Sequence, residues 1–268
     1  MTVVSAERTT RKVVVCYDIK AGRVVKGASF VDLTDQGDPA DLVAGPAAEG
    51  ADELVLLDIV GAREGRAAFL QIVERVCRAA TVPVCVGGGV RSVDDVAQVL
   101  AAGADKVGMN SAAVADPELI SRAAARFGSD RIVVAIDAKR RLTGTAGAPS
   151  FEVYVGGGLK PTGLDAVEWA RECERRGAGE ILLTSIDRDG QRSGFDLELT
   201  EAVAAAVQIP VTASGGAGST EDFVELFRRT RAAAGLAAGV IHDGSLTAAQ
   251  LRQAITAAGF TASAGGRP

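Results

Sequence analysis

An internal repeat relates the first half of this 268-residue sequence to the second half. The segment EGADELVLLDI (49–59) matches RGAGEILLTSI (176–186), and VPVCVGGGVRSVDD (82–95) matches IPVTASGGAGSTED (209–222). Both pairs are separated by the same 127 residues, since 176 − 49 equals 209 − 82. A repeat with a constant long period indicates duplicated supersecondary units, so the chain is predicted to contain two halves of similar build.

Short runs rich in β-branched residues alternate with longer amphipathic segments along the whole chain. This alternation is typical of βα units around a parallel sheet. Eight strands are predicted, and they are VVVCYD (13–18), ELVLLDI (53–59), PVCVG (83–87), KVGMN (106–110), IVVAID (132–137), EILLTSI (180–186), PVTAS (210–214) and GLAAG (235–239).

Eight parallel strands with helices between them, in a chain of this length, favour a closed (β/α)8 TIM barrel over an open doubly wound sheet. The twofold repeat also favours the barrel, because an open sheet does not require one. We expect a single barrel domain across 1–268, built from half-barrels at about 12–130 and 131–260. The ends, 1–11 and 261–268, are expected to be loosely held.

Charge and residue usage exclude several classes of function. The 29 basic and 34 acidic residues give a net charge of −5, which argues against nucleic acid as a partner. The single histidine, His242, cannot supply a multi-histidine zinc site, and the four cysteines show no CxxC spacing. We therefore expect no metal and no cofactor. Without a signal-like N-terminus or a membrane-length apolar run, a cytoplasmic protein with no membrane contact is expected.

Asp18 and Asp137 end the predicted first and fifth strands, at the carboxyl ends where barrel enzymes carry their catalytic groups. These strands are opposite in an eight-stranded barrel, so the two carboxylates would face each other across its mouth. Such a pair suits general acid and general base catalysis at two points of an elongated substrate. Alternatively, each carboxylate caps the next element or pairs with Lys20 or Lys139. The matched D-x-K in both halves favours the catalytic interpretation.

Glycine-rich turns follow the predicted third and seventh strands, at Gly88 and Gly89 and at Gly215 and Gly216. Exposed backbone N–H groups in such turns can bind a phosphate group. One turn of this kind would be weak evidence, but two at equivalent positions predict a bisphosphorylated substrate that spans the mouth. Further predicted contacts are Asn110 and Ser111 in the first half, and Thr184, Ser214, Ala238 and Gly239 in the second.

A long segment, Ile19 to Gln36, separates the first predicted strand from the first helix. A loop of this length in a compact barrel is usually functional, often as a lid. Lys26 could close over a phosphate, and Phe30 could stack on a flat ring. A solvated surface loop is an equally open alternative.

Four charged residues lie at or next to the opposite, amino-terminal ends of the predicted strands. Two cations and two anions can close a ring of salt bridges at the bottom of a barrel, and the default interpretation of such a ring is structural. The four residues are Lys12, Glu53, Lys106 and Glu180.

Taken in order, the motifs CYDIKAGRVVKG, VGGGVRS, DKVGMNSAA, AIDAKR, GEILLTSIDRDG and SGGAG resemble the cyclase subunit of imidazole glycerol phosphate synthase, from about Lys12 to Phe260. The resemblance implies a lyase that uses ammonia to convert phosphoribulosyl formimino-aminoimidazole carboxamide ribotide. The products would be imidazole glycerol phosphate and aminoimidazole carboxamide ribotide. The resemblance also implies Asp18 and Asp137 as the acid–base pair, with Asp189 assisting.

The same resemblance implies a partner, a separate glutaminase that supplies the ammonia. It would dock on the amino-terminal face, where the ring of Lys12, Glu53, Lys106 and Glu180 would form the ammonia entrance. Two alternatives remain open. The related isomerase of the same pathway shares the half-barrel repeat but not the GRVVKG and SIDRDG segments in this form. A divergent paralogue could serve mainly for docking or for directing ammonia.

The sequence departs from the family near the expected site. Tyr17 stands where leucine is usual, so we expect a bulky phenol beside Asp18. Such changes would alter the polarity of the mouth and part of the second phosphate site. The other departures are Val15 for proline, Val60 and Ala62 for hydroxyl-bearing residues, Gly108 and Gly239 for serine, and Lys12 for arginine.

Overall fold

The structure, a computed structural model, describes residues 10–26, 34–45, 48–59, 65–141 and 149–263. Its strands are β1 (Lys12–Lys20), β2 (Arg23–Lys26), β3 (Thr34–Gly37), β4 (Glu53–Asp58), β5 (Val84–Gly87), β6 (Lys106–Met109), β7 (Ile132–Arg140), β8 (Phe151–Val155), β9 (Lys160–Asp165), β10 (Glu180–Ser185), β11 (Val211–Ser214) and β12 (Ala234–Ala237). Its helices are α1 (Pro39–Val43), α2 (Arg66–Ala79), α3 (Val93–Ala101), α4 (Ser111–Ala115), α5 (Glu118–Phe127), α6 (Ala166–Arg175), α7 (Leu197–Ala204), α8 (Thr220–Arg229), α9 (Gly239–His242) and α10 (Ala248–Ala257).

Eight of the strands run parallel and close into a barrel in the order β1-β4-β5-β6-β7-β10-β11-β12, with β12 pairing with β1. The predicted TIM barrel is confirmed. Strands β1 and β7 are four places apart in this ring, so they lie opposite each other as expected. The eighth predicted strand, 235–239, extends two residues beyond the observed strand β12, which ends at Ala237 because Gly239 begins the short helix α9.

Two antiparallel hairpins at the carboxyl rim were not predicted. Strand β1 continues into β2 and β3, and β7 continues into β8 and β9 at the equivalent place in the second half. The segment expected to be one long loop, Ile19 to Gln36, therefore contains strand structure. Lys26 is the last residue of β2, whereas Phe30, together with Val60 and Ala62, lies outside the described residues.

Alternate residues of each barrel strand face two separate apolar layers, as the pleat of a strand requires. On β1, Val13, Val15 and Tyr17 pack in the layer between sheet and helices. Val14 and Cys16 face the barrel interior instead. The other members of this interior layer are Val55, Cys85, Val133, Leu182, Ala234 and Leu236. The interior below the mouth is therefore packed and apolar.

This alternation corrects one expectation about the mouth. Tyr17 is 1% exposed and lies in the outer layer, where its Oη donates to the Leu42 carbonyl oxygen at 3.4 Å. The prediction of a phenol beside the Asp18 carboxylate was wrong, because successive residues of a strand point to opposite faces. Val15 also faces the helices, so neither departure changes the polarity of the mouth.

The first and last described segments of the chain meet at the amino-terminal side of the barrel. Arg11 N–H donates to the Thr261 carbonyl at 2.8 Å, and the guanidinium lies 5.4 Å from the centre of the Phe227 ring. Arg11 and Thr261 are therefore held by the barrel. The rest of the ends that were expected to be loosely held, 1–9 and 264–268, lies outside the described residues. Within the described ranges, no helix is both long enough and apolar enough to cross a membrane.

Candidate active site

The mouth of the barrel is formed by the last inward-facing residues of the strands. Asp18 lies on β1, and on the opposite side the register places Asp137 of β7 beside Thr184 of β10. Thr184 in turn lies beside Ser214 of β11. Side chains predicted separately from the two halves are thus brought to one edge of the closed sheet.

Asp18 and Asp137 occupy environments that make them unequal acids. Burial, with a smaller contribution from the Asp189 carboxylate, raises the pKa of Asp18 to about 7. Burial also raises the pKa of Asp137 to about 6, and here a hydrogen bond from Asn110 opposes the rise while Asp189 adds to it. Two carboxyl groups whose pKa values are separated in this way can act as an acid and a base near neutral pH.

Asp189 lies in the turn after β10, where its backbone N–H donates to the Ser185 carbonyl at 3.0 Å. Its negative charge acts on both Asp18 and Asp137, and burial raises its own pKa. Its neighbour Asp187 is exposed and accepts a hydrogen bond from the Arg140 backbone at 2.8 Å, so that carboxylate supports the rim. Of the two, only Asp189 has an electrostatic effect on the opposed carboxylates.

The first glycine turn is sterically required as well as rich in exposed N–H groups. Gly88 has a φ of +91°, and a Cβ there would lie 2.2 Å from the Asp58 carbonyl oxygen. Beside this turn, Asn110 Nδ2 donates to Asp137 Oδ2 at 2.9 Å, and Ser111 Oγ accepts from the Gly156 N–H at 3.0 Å. The start of the short helix α4 therefore contacts both Asp137 and the turn of the β8–β9 hairpin.

The second glycine turn repeats this arrangement. A Cβ on Gly215 would lie 2.7 Å from the Ser185 carbonyl oxygen, and one on Gly216 would lie 2.1 Å from that of Gly194. The neighbouring strand in the ring, β12, leads through Ala238 into α9 just as β6 leads through Asn110 into α4. Each half thus places one glycine turn beside one short helix.

The charged residues at the amino-terminal end form a cluster centred on Lys106. Its Nζ lies 2.6 Å from Glu53 Oε2 and 2.6 Å from Glu180 Oε2. Burial lowers the pKa of Lys106, but the two carboxylates outweigh burial and hold that pKa above its ordinary value. Thr212 Oγ1 donates to Glu180 Oε1 at 2.7 Å, a contact that a search for charged residues could not find.

Lys12 departs from the predicted four-membered ring. Among the described residues it forms no ion pair within 4 Å, and its charge acts on the Glu53 carboxylate only at longer range. The cluster that closes the bottom of the barrel therefore consists of Glu53, Lys106 and Glu180 with Thr212, and Lys12 lies at its edge.

The sequence matches the family described as Histidine biosynthesis protein over residues 12–247. It is 54% identical over 248 residues to the imidazole glycerol phosphate synthase subunit HisF of Acidobacterium capsulatum, covering 92% of this chain and 96% of that one. It is 52% identical over 251 residues to the HisF subunit of Myxococcus xanthus, covering 94% and 97%. The chain belongs to the HisF family.

Membership of the HisF family confirms the resemblance drawn from the motifs. The chain is a cyclase of the lyase type in histidine biosynthesis, and neither the related isomerase nor a divergent docking paralogue is favoured. The HisF subunit of Metallosphaera sedula is 50% identical over 252 residues, a match that covers 94% of this chain and 98% of that one.

A cavity of about 760 Å³ at the rim of this HisF-family barrel was not predicted. It lies between the extension of β7, the unpredicted strand β8 and the turn after β10, and Tyr154 in its wall is the register partner of Asp137. The lining residues are Lys139, Arg140, Arg141, Glu152, Tyr154, Asp187, Arg188 and Asp196. Lys139 and Arg140 show that the polar rim extends past the end of the predicted fifth strand.

No group of three or more His, Cys, Asp or Glu suited to a metal ion occurs in the described part of the chain.

Proposed function

We propose that Asp18 and Asp137 are the acid–base pair with which this cyclase acts on phosphoribulosyl formimino-aminoimidazole carboxamide ribotide. Ammonia attacks this substrate, and ring closure and cleavage give imidazole glycerol phosphate and aminoimidazole carboxamide ribotide. The steps need a proton to be removed at one point of the substrate and delivered at another. Two carboxyl groups on opposite strands of the mouth supply these functions.

The observation that carries this proposal is the placement of two largely buried carboxyl groups on opposite strands of the mouth. Burial raises the pKa of Asp18 to about 7 and that of Asp137 to about 6, so both groups can exchange protons near neutral pH, and Asp18 has the higher value. Asp18 is then the acid and Asp137 the base. Asp189 assists by its negative charge, which favours the protonated form of both partners.

The phosphate groups of the substrate are proposed to bind at the two glycine turns. Gly88 and Gly89, with the backbone of Asn110 and the hydroxyl of Ser111, would hold one phosphate. Thr184, Ser214, Gly215, Gly216, Ala238 and Gly239 would hold the other. Lys26, the last residue of β2, is proposed to add a positive charge to a bound phosphate group. A side chain at Gly88 or Gly216 would clash with a neighbouring carbonyl oxygen, so glycine is needed there whether or not a phosphate binds. Phosphate binding is supported instead by the equivalent positions of the two turns in the two halves of the barrel.

Ammonia is proposed to enter at the amino-terminal face from a glutaminase subunit docked there. The name of the relatives, subunits of a synthase, supports such an assembly. Above the Lys106 cluster the interior is lined by Val14, Cys16 and the other apolar residues of the inner layer, beside the small residue Gly108. Uncharged ammonia can pass such a lining, whereas ammonium would have to leave its hydration shell. The cluster of Glu53, Lys106 and Glu180, with Lys12 at its edge, would be the entrance. A cytoplasmic location is part of this proposal.

The test supplies the bisphosphorylated substrate with an ammonium salt and follows the loss of substrate absorbance. We expect turnover by the unmodified chain, and a decrease of about a hundredfold or more in Asp18→Asn and Asp137→Asn, since general acid–base catalysis contributes about that much. Asp187→Asn is the matched control, an exposed carboxylate at the same rim. Normal turnover in either of the first two variants would reject the acid–base assignment.

A further inference from the structure

His242, the single histidine of the chain, ends the short helix α9 and has no role in the site as described above. Its Nε2 lies 2.8 Å from the carbonyl oxygen of Cys16, two residues before Asp18. Its backbone N–H donates to the carbonyl of Ala238 at 3.0 Å. One residue therefore contacts both the strand that carries Asp18 and the turn that begins α9.

The Cys16 carbonyl lies where the pairing of β1 with β12 stops. Lys12 N–H donates to Ala233 O, and Asp52 N–H donates to Val13 O, so the even-numbered peptide groups of β1 face β12. The last register pair between the two strands is Val15 with Ala237. Beyond that pair, the imidazole supplies the hydrogen-bond donor that the β12 backbone would otherwise provide. A buried carbonyl needs such a partner.

The imidazole is held in place by an aromatic neighbour. The ring centres of His242 and Tyr17 are 5.1 Å apart with planes tilted by 57°, a geometry favourable for aromatic pairs. Tyr17 is fully buried and in turn contacts the Leu42 carbonyl next to the end of α1. The imidazole therefore has little freedom to leave the Cys16 carbonyl.

We propose that His242 is a positioning residue that holds the Asp18 end of β1 and the Ala238–Gly239 turn in one fixed relation. Its catalytic consequence rests on the proposed function, in which Asp18 transfers a proton to a substrate anchored at that turn. Without the imidazole donor, the contact beyond the Val15–Ala237 pair is lost, and only the strand pairing below it holds the strand end and the turn together. A misplacement of about 1 Å between a catalytic group and its substrate can cost about a hundredfold in rate.

Two substitutions separate positioning from packing. His242→Leu keeps an apolar side chain against Tyr17 but removes the donor, and His242→Gln restores an N–H at a reach similar to that of Nε2. With the bisphosphorylated substrate and an ammonium salt, we expect kcat of His242→Leu to fall about tenfold or more. His242→Gln should stay within about threefold of the unmodified chain. Tyr17→Phe, which loses only the long contact to Leu42, is the control.

Two results would overturn the proposal: unchanged kcat and KM in His242→Leu, or an equal loss in the Leu and Gln variants. The second result would show that the imidazole contributes only packing. If His242→Leu does not fold, His242→Gln provides the test. The proposal requires that His242→Gln keeps a near-normal kcat and also keeps a hydrogen bond to the Cys16 carbonyl. Normal kcat after loss of that contact would also overturn it.

Crystal structures provide a readout that does not depend on the reaction. In His242→Leu we expect the Asp18 carboxylate and Gly239 to shift relative to each other, while Asp137 and Thr184 keep their positions. Unshifted positions would contradict positioning by His242. Absence of turnover in the unmodified chain would instead reject the proposed function, and the structural comparison would still decide the role of His242.

Discussion

The side-chain amide of Asn110 donates a hydrogen bond to Asp137 Oδ2 over 2.9 Å, which joins the start of α4 to the proposed base. The Oδ1 atom of the same amide is buried and has no hydrogen-bond partner in the part of the chain that the structure describes. A buried acceptor of this kind suits a hydroxyl or N–H donor of a bound substrate rather than a phosphate oxygen. Under the proposed function, Asn110 would link substrate binding to the charge state of Asp137.

Asn110→Ala is expected to move the acid limb of the pH profile. The hydrogen bond from Asn110 favours the ionised form of Asp137, so its loss raises the pKa of that carboxyl above about 6. The base is then protonated over a wider range, and the acid limb of kcat/KM moves upward by up to about one pH unit. The measurement is kcat/KM against pH at a constant concentration of uncharged ammonia. An acid limb that stays in place would contradict the role given to this bond.

The unmodified chain should show a bell-shaped profile at constant uncharged ammonia. The ascending limb near pH 6 reflects ionisation of Asp137, and the descending limb near pH 7 reflects loss of the Asp18 proton. Because both groups also respond to Asp189, the two limbs report macroscopic values of the coupled set. A profile that rises monotonically through pH 8 would contradict Asp18 as the acid.

Asp18→Asn is expected to stabilise the fold at alkaline pH. Burial raises the pKa of Asp18 from 3.8 to about 7 in the folded chain, so between these values the folded state binds more protons than the unfolded state. The stability from the protonated carboxyl is complete below pH 3.8 and is lost as the pH rises through about 7.

At pH 8 the carboxylate is therefore a buried charge, and its replacement by Asn should raise the free energy of unfolding by about 1–3 kcal/mol. The gain should fade toward pH 4. Denaturant titrations at pH 4.5 and pH 8 test this, with Asp187→Asn as the exposed control. A variant that is less stable at pH 8 would show that burial does not dominate at Asp18.

How far the sequence predicts this molecule depends on whether a feature is local. The β-branched runs and the repeat are local patterns, and they predict the barrel and place Asp18 and Asp137 at opposite strand ends. The β2–β3 hairpin was missed because its two strands have only four residues each and no clear alternation of apolar and polar side chains. The outward direction of Tyr17 could have been predicted, since it neighbours the inward-facing Asp18 on one strand.

Contacts between distant segments could not be predicted in this way. Thr212 joins the Lys106 cluster because β11 lies beside β10 at that height, and a search for charged residues passes over a threonine. The contact of His242 with Cys16 depends on the residue at which two strands stop pairing. Neither the register of a barrel nor the end of a strand pair is encoded in a short motif.

Lys106→Met should separate the two nitrogen sources. Turnover with an added ammonium salt should be nearly unchanged, and the glutamine-dependent reaction with a glutaminase partner should weaken. Loss of the ammonium group leaves Glu53 and Glu180 buried without their partner, so stability should also fall by about 3 kcal/mol. Lys12→Met is the matched control, since Lys12 makes no ion pair among the described residues. It should have a smaller effect than Lys106→Met on the glutamine-dependent reaction and on stability. Equal losses with both nitrogen sources would show that the cluster is only structural.

Crystals soaked in phosphate should show one anion at each glycine turn. The first is expected near Gly88, Gly89 and Asn110, held mainly by backbone N–H groups and by the hydroxyl of Ser111. The Ser111 oxygen already accepts from the Gly156 N–H, so its own hydrogen is available to the anion. Ser111→Ala should therefore lower occupancy at the first turn and leave the second unchanged.

The second anion is expected near Gly215, Gly216 and Gly239, at lower occupancy. Gly239 carries no side chain, so the start of α9 offers no hydroxyl equivalent to that of Ser111 at the start of α4. A charge-assisted hydrogen bond contributes about 1.5–3 kcal/mol, so the missing donor is large enough to separate the two sites in a titration with inorganic phosphate. Gly239→Ser should raise affinity at the second turn toward that of the first. Anions bound only elsewhere, with both turns empty, would contradict the assignment of the turns as phosphate sites.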